Sequence, residues 1–154
     1  MGLLDRLNEI RQLDGLSIYV GIQGTEATDE NADGITLAGI AAVQEYGSLK
    51  RKIPSRPWMR TTFDRFHKSW AEDMRKVLKL SAKGDFKKVR TALRFVGIRF
   101  KENMQKTLLE GPWVDNSPYT IKNKGSSKPL IDSSQLLQSH RAAIAKDGQV
   151  EVIG

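Results

Sequence analysis

From Thr61 onward the apolar residues Phe63, Phe66, Trp70, Met74, Val77 and Leu78 recur largely at steps of three and four, the period of one helix face. Thr61 followed by Asp64 resembles a capping box and places the start of this helix. Ser81 to Gly84 breaks the pattern. It resumes with Phe86, Val89, Leu93, Val96, Phe100, Met104 and Leu108 on one face. Two amphipathic helices joined by a short glycine-containing turn predict an αα-hairpin.

The flanks carry shorter signals. Leu3, Leu4, Leu7, Ile10 and Arg11 predict an amphipathic helix from Gly2 to Leu13, ended by Asp14-Gly15. Leu16 to Ile22 alternates and is rich in β-branched residues, which predicts a strand. Gln23 to Gly34 is polar and acidic and reads as a mobile loop. Thr36 is the expected N-cap of a helix through Leu37, Ile40, Ala41 and Gln44, closed by Gly47. The small residues Ala38, Gly39, Ala41 and Ala42 would let that helix lie close against a sheet. Pro54 and Pro57 forbid a helix around them and favour extended chain. Near the C-terminal end, segments 136–146 and 149–153 flank Asp147-Gly148, a type I′ hairpin signal, although Gln135 to Ser139 also suits a helical turn.

Gly111 to Leu136 has neither period. A loop beyond about 12–15 residues in a compact domain is usually functional or disordered. Its apolar Trp113, Val114, Tyr119, Ile121, Leu130 and Ile131 argue for an ordered arm that packs on something, such as another subunit. The expected fold is α+β: one domain over 1–154, with a small antiparallel β-sheet packed against a long αα-hairpin and an extended loop arm over 111–136.

Composition removes function classes. The chain has 154 residues, 39% of them hydrophobic and 28% charged, which is ordinary for a soluble protein. It has no cysteine, so a disulfide framework, a thiolate zinc site and a cysteine nucleophile are excluded. No apolar run approaches the roughly 18–20 residues that span a bilayer. Asp5, Glu9 and Asp14 in the first 16 residues are foreign to a signal peptide, so a cytosolic setting and no membrane partner are expected.

Charge is unevenly spread. The formal net charge of +7 combines −6 over residues 1–45, +13 over 46–106 and zero over 107–154. Such a chain suits nucleic acid through its middle, or pairing of one copy's acidic part with the basic part of the next. On helices 62–108 the cations Arg75, Lys76, Lys79, Lys83, Lys87, Lys88, Arg90, Arg94, Arg99, Lys101 and Lys106 occupy the polar faces. They are candidates for phosphate contacts, or a solubilising face that pairs with acidic neighbours. Phe63, Phe66, Trp70, Phe86 and Phe100 fall on the apolar stripe and are expected in the core rather than stacked on bases.

Enzyme chemistry finds no foothold. His67 has Trp70 and Ala71 at the positions where a second helical ligand would stand. His140 has Asp132, Ser133, Ser134 and Ser139 nearby in sequence, but no Gly-x-Ser-x-Gly elbow surrounds these serines. Asp29, Glu30 and Asp33 lack the bidentate Glu and the glycine spacing of a calcium loop. No glycine-rich phosphate loop opens a helix. No metal, cofactor or catalytic residue is expected.

Two stretches carry a resemblance. The first runs Ala41-Ala42-Val43-Gln44-Glu45-Tyr46-Gly47 and then Ile53-Pro54-Ser55-Arg56-Pro57-Trp58-Met59-Arg60. The second runs Trp113-Val114-Asp115-Asn116-Ser117-Pro118-Tyr119-Thr120-Ile121, Lys124-Gly125 and Lys128-Pro129-Leu130-Ile131-Asp132. In order and spacing, from about Ile18 to Ser139, they resemble the virion-morphogenesis and tail-completion proteins of long-tailed bacteriophages. Departures are local: Ser133-Ser134 in place of Thr-Gly, Trp58 in place of Phe or Tyr, and His140 at a position often apolar. The resemblance implies a non-catalytic structural protein of the phage neck, a tail-completion or tail-terminator ring, often of six copies, assembled in the host cytoplasm. Its expected partners are further copies of itself, neighbouring neck and tail proteins, and DNA passing through the lumen. Arg56, Trp58, Arg60, Trp113, Tyr119 and Leu130 are the expected subunit-interface residues. The two arginines would offer forked donors to a neighbour's carboxylates. For Arg56 an exposed charge or a contact inside its own chain is the alternative.

Overall fold

Helices α3 (Trp58–Ala82) and α4 (Phe86–Glu110) are joined by Lys83-Gly84-Asp85, forming the expected αα-hairpin in the computed structural model. The structure describes residues 2–24, 27–28, 34–118, 121–122 and 135–154. Most of the acidic loop and of the proposed arm, with Tyr119 and Leu130, lies outside them. The other elements are α1 (Leu3–Leu13), β1 (Ser17–Ile22), α2 (Leu37–Tyr46), α5 (Gln135–Gln138), β2 (His140–Lys146) and β3 (Gln149–Val152). The sheet is three-stranded in the order β1-β2-β3, so the fold is a small α+β one. The chain divides into two units, each discontinuous in sequence, and each takes part of α3 and of α4.

The first unit comprises Met1–Val20, Phe66–Lys101 and Arg141–Gly154. Its core is Val77, Val89, Leu93, Val96 and Ile144, with Leu13, Leu16, Ile18, Met74, Phe100 and Ile153 packed around it. The apolar faces of the hairpin and of the sheet thus close on each other, as their periods predict. Gly97 lets α4 approach the sheet closely, since a Cβ there would lie 2.8 Å from Ile153 Cδ1. Trp70 stacks on Phe66 and on Phe100, with centroids 6.4 and 4.3 Å apart. Strands β2 and β3 pair antiparallel from Ala143↔Val152 to Lys146↔Gln149. Asp147 (φ 49°) and Gly148 (φ 80°) supply the left-handed pair that a type I′ turn requires.

The second unit comprises Gly21–Arg65 and Glu102–His140. Here Leu37, Ala41, Trp58, Met104, Leu108 and Leu136 are buried. Thr36 caps α2 as expected, accepting from Gly39 N at 3.0 Å. Gln135–Gln138 takes the helical alternative, and the strand begins only at His140.

Three expectations are corrected. Helix α3 begins at Trp58, three residues before the Thr61–Asp64 capping box, because another group supplies its cap. Phe63 and Leu78, placed in the core by spacing, are 57% and 64% exposed; a 25-residue helix carries more apolar positions than one stripe of partners can cover. Leu4, Leu7 and Ile10 of α1 likewise face solvent.

Candidate interface site

The connection from α2 to α3 is built around one buried carboxylate. Glu45 Oε2 accepts from Met59 N at 2.9 Å and Oε1 from Arg60 N at 3.2 Å. Two of the N–H groups that a helix start leaves unsatisfied are thereby paired, and an anion sits at the positive end of the α3 dipole. Arg60 Nε adds a charged bond at 3.0 Å to Oε1, while Arg60 Nη2 donates to the Glu45 carbonyl at 3.1 Å. A carboxylate this buried is tolerated because every side carries a donor.

The intervening loop is fixed by backbone pairing. Gly47 takes φ 75°, and a Cβ there would lie 2.8 Å from Ser55 N and 2.9 Å from Ile53 O, so only glycine fits. Ser48 and Ile53 exchange two hydrogen bonds of 2.8 and 2.9 Å. Arg56 N then donates to Gln44 O at 2.7 Å, and Ser55 Oγ to Glu45 O at 2.7 Å. The extended course that Pro54 and Pro57 impose thus runs back along the end of α2.

Arg56 joins this corner to the loop that follows α4. Its Nε donates to Val114 O at 2.9 Å and its Nη1 to Gln44 Oε1 at 2.7 Å. Its Nη2 reaches Asp115 O and Asn116 Oδ1, both at 3.3 Å. The planar fork thereby holds three consecutive residues of the loop against α2, a geometry a lysine cannot reproduce. Burial pulls the guanidinium below its ordinary value, and the charge of Asp115 opposes that pull.

Trp113 completes the corner. Its indole folds back over Gly111 and donates from Nε1 to Leu108 O at 2.8 Å. A Cβ on Gly111 would overlap the ring, 2.0 Å from Cζ2.

Of the six expected interface residues, Arg56 and Trp58 are buried in their own chain, Trp58 at 0% exposure, and Arg56 makes the within-chain contact that was its alternative. Trp58 meets the edge of His140, ring centroids 4.8 Å apart at 73°. Trp113 spends its one polar donor internally. Trp113 is half-buried and Arg60 faces solvent, its guanidinium 5.4 Å from the ring of exposed Tyr46. Tyr119 and Leu130 fall outside the described residues. Spacing missed the central residue, Glu45, although one signal pointed to it. An acid in the last turn of a helix opposes that helix's dipole and suggests service to another element.

His140 is buried with Nδ1 3.2 Å from Leu137 O, and Ser139 Oγ donates to Leu136 O at 3.0 Å. The pair thus brackets the end of α5. His67 is exposed on α3. Among the described residues, no helix is long and apolar enough to cross a membrane. Six of the eleven cations on the polar faces of the hairpin are held in ion pairs among the described residues. Arg75 pairs with Glu72, Lys76 and Arg99 with Asp73, Lys88 with Asp85, and Arg90 and Arg94 with Glu151.

No known protein family, no curated protein and no solved structure matches the chain.

Proposed function

We propose that this chain is a non-catalytic structural protein of a bacteriophage neck, which completes or caps the tail as an oligomeric ring and joins it to the head. One observation carries the reading: the two separate stretches that hold the resemblance meet at Arg56, whose donors reach Gln44 in the first and Val114, Asp115 and Asn116 in the second. Residues that belong to one pattern in sequence thus belong to one physical junction. The junction fixes the root of the 111–136 arm, at Val114 to Asn116, against the end of α2. The uneven charge favours head-to-tail contact between copies, which is what a ring requires.

Nucleic-acid binding through helices 62–108 is the second reading, and the ion pairs of those helices weigh against it. A cation already held by a carboxylate releases fewer counterions on meeting a phosphate.

Purified virions decide the matter. The protein should be present in them, and negative-stain images of the assembled neck should contain a ring of it; its absence from virions overturns the reading. Within the arm, Tyr119→Ala with Leu130→Ala should weaken assembly more than the melting temperature. Equal losses would make the arm a connector of its own chain.

A further inference from the structure

The Ser48–Ile53 turn is fixed by its backbone and presents Leu49, Lys50, Arg51 and Lys52 to solvent. Its two backbone bonds, the bond from Lys52 N to Leu49 O at 3.2 Å, and Lys52 at φ 53° fix its shape. At the tip Leu49 is 100% exposed. Lys50, Arg51 and Lys52 follow it, all exposed and with no carboxylate partner among the described residues. A preformed turn loses little freedom on binding, so a leucine held this way is a favourable anchor.

The first unit carries a recess of matching character. It encloses about 420 Å³, with apolar walls from Leu13, Leu16, Phe86, Leu93, Ile144 and Val150. The charges on its wall are already used: Arg90 holds Glu151 at 2.8 Å, and Lys146 Nζ donates to Arg11 O at 3.2 Å. Beside the wall residues Leu13 and Lys146 stand Asp14 and Asp147, exposed acids with no cation partner among the described residues. The two turns that bear them adjoin, since a Cβ on Gly15 would lie 3.8 Å from Asp147 Oδ1.

We propose that the Ser48–Ile53 turn of one copy seats Leu49 in this recess of a second copy, with Lys50, Arg51 and Lys52 against Asp14 and Asp147. The proposal rests on the oligomeric reading above and names the surfaces that would join the copies. Turn and recess are different surfaces, so each joined pair keeps one free turn and one free recess. That arrangement is the condition for a closed ring or an open filament rather than a two-fold dimer. Removing one leucine side chain from water strengthens an association by about 10- to 100-fold, and screening of the charges weakens it as salt rises.

Sedimentation velocity on the full chain tests the contact. The wild type should self-associate, less so in high salt. Leu49→Asp, which changes a fully exposed side chain, should weaken association by at least about tenfold without altering the thermal melt. Val150→Arg at the recess should do the same, and Asp14→Lys with Asp147→Asn serves as the second variant should Val150→Arg unfold. The deciding measurement mixes Leu49→Asp, which keeps its recess, with Val150→Arg, which keeps its turn. They should form a one-to-one dimer and nothing larger. Failure of that mixture to pair overturns the joint. Wild-type oligomers that Leu49→Asp leaves intact overturn the contact but leave the ring. A wild type that stays monomeric overturns the contact, while the ring reading still stands or falls with the virions.

Discussion

Glu45 sits in the last turn of α2, where the carbonyl end of the helix disfavours an anion, yet its carboxylate satisfies the start of α3. Glu45→Ala removes a cap and leaves the α3 N–H groups without a buried acceptor. A loss of about 2 kcal/mol in urea unfolding is expected, with Glu45→Gln recovering part of it. Arg56→Lys should cost about 1–3 kcal/mol, because a single ammonium cannot reach Gln44, Val114 and Asn116 together. Limited proteolysis of that variant should cut faster around residues 112–118. Gly111→Ala drives a methyl group into the Trp113 ring, so the indole must leave its bond to Leu108. A red-shifted tryptophan fluorescence would report the eviction; an unchanged spectrum would deny that the ring lies there. The residues of this junction were all visible in the quoted motifs, but their direction was not. Arg56 and Trp58 next to prolines fit an outward-facing arm and an inward-facing corner equally well.

Among the elements, the boundary of α3 shows how a local signal loses to a distant one. Thr61 and Asp64 have the spacing of a cap, yet the helix gains an earlier turn because Glu45 from α2 supplies acceptors at Met59 and Arg60. Strand β3 is tied to α4 in a similar way. The hydrogen bond from Arg90, with the charges of Arg94 and Arg90 itself, holds the Glu151 carboxyl below its ordinary range despite some desolvation. A lowered folded value means that this attachment stabilises the protein above the ordinary carboxylate pKa. It is lost as the pH falls through the lowered value. The stability gap between wild type and Glu151→Gln should therefore be constant near neutrality and close in acid, as followed by thermal melts across pH. A gap that persists in strong acid would show that the side chain acts through packing instead.

Over the whole molecule, the cations of residues 46–106 differ in what faces them. On the hairpin Arg75, Lys76, Lys88, Arg90, Arg94 and Arg99 pair with Glu72, Asp73, Asp85 and Glu151. On the turn after α2, Lys50, Arg51 and Lys52 are exposed with no carboxylate partner among the described residues. Reversing Arg90 and Arg94 to Glu should therefore loosen β3 more than it changes any salt-dependent binding to duplex DNA. An abolished DNA affinity with an unchanged melt would restore the nucleic-acid reading.

The sequence by itself determined the elements whose causes lie within a few residues. The hairpin's apolar period, the Thr36 cap, the Gly47 stop and the Asp147-Gly148 turn are local, since propensity, period and backbone freedom act over one or two turns of chain. It also carried, more than fifty positions apart, the two stretches that meet at Arg56. Only the tertiary structure decided that Arg56 joins those stretches, that Glu45 begins α3, and that Phe63 and Leu78 stay outside the core. Each of these depends on which distant group arrives to accept a bond or to cover a surface. No spacing along the chain records that arrival.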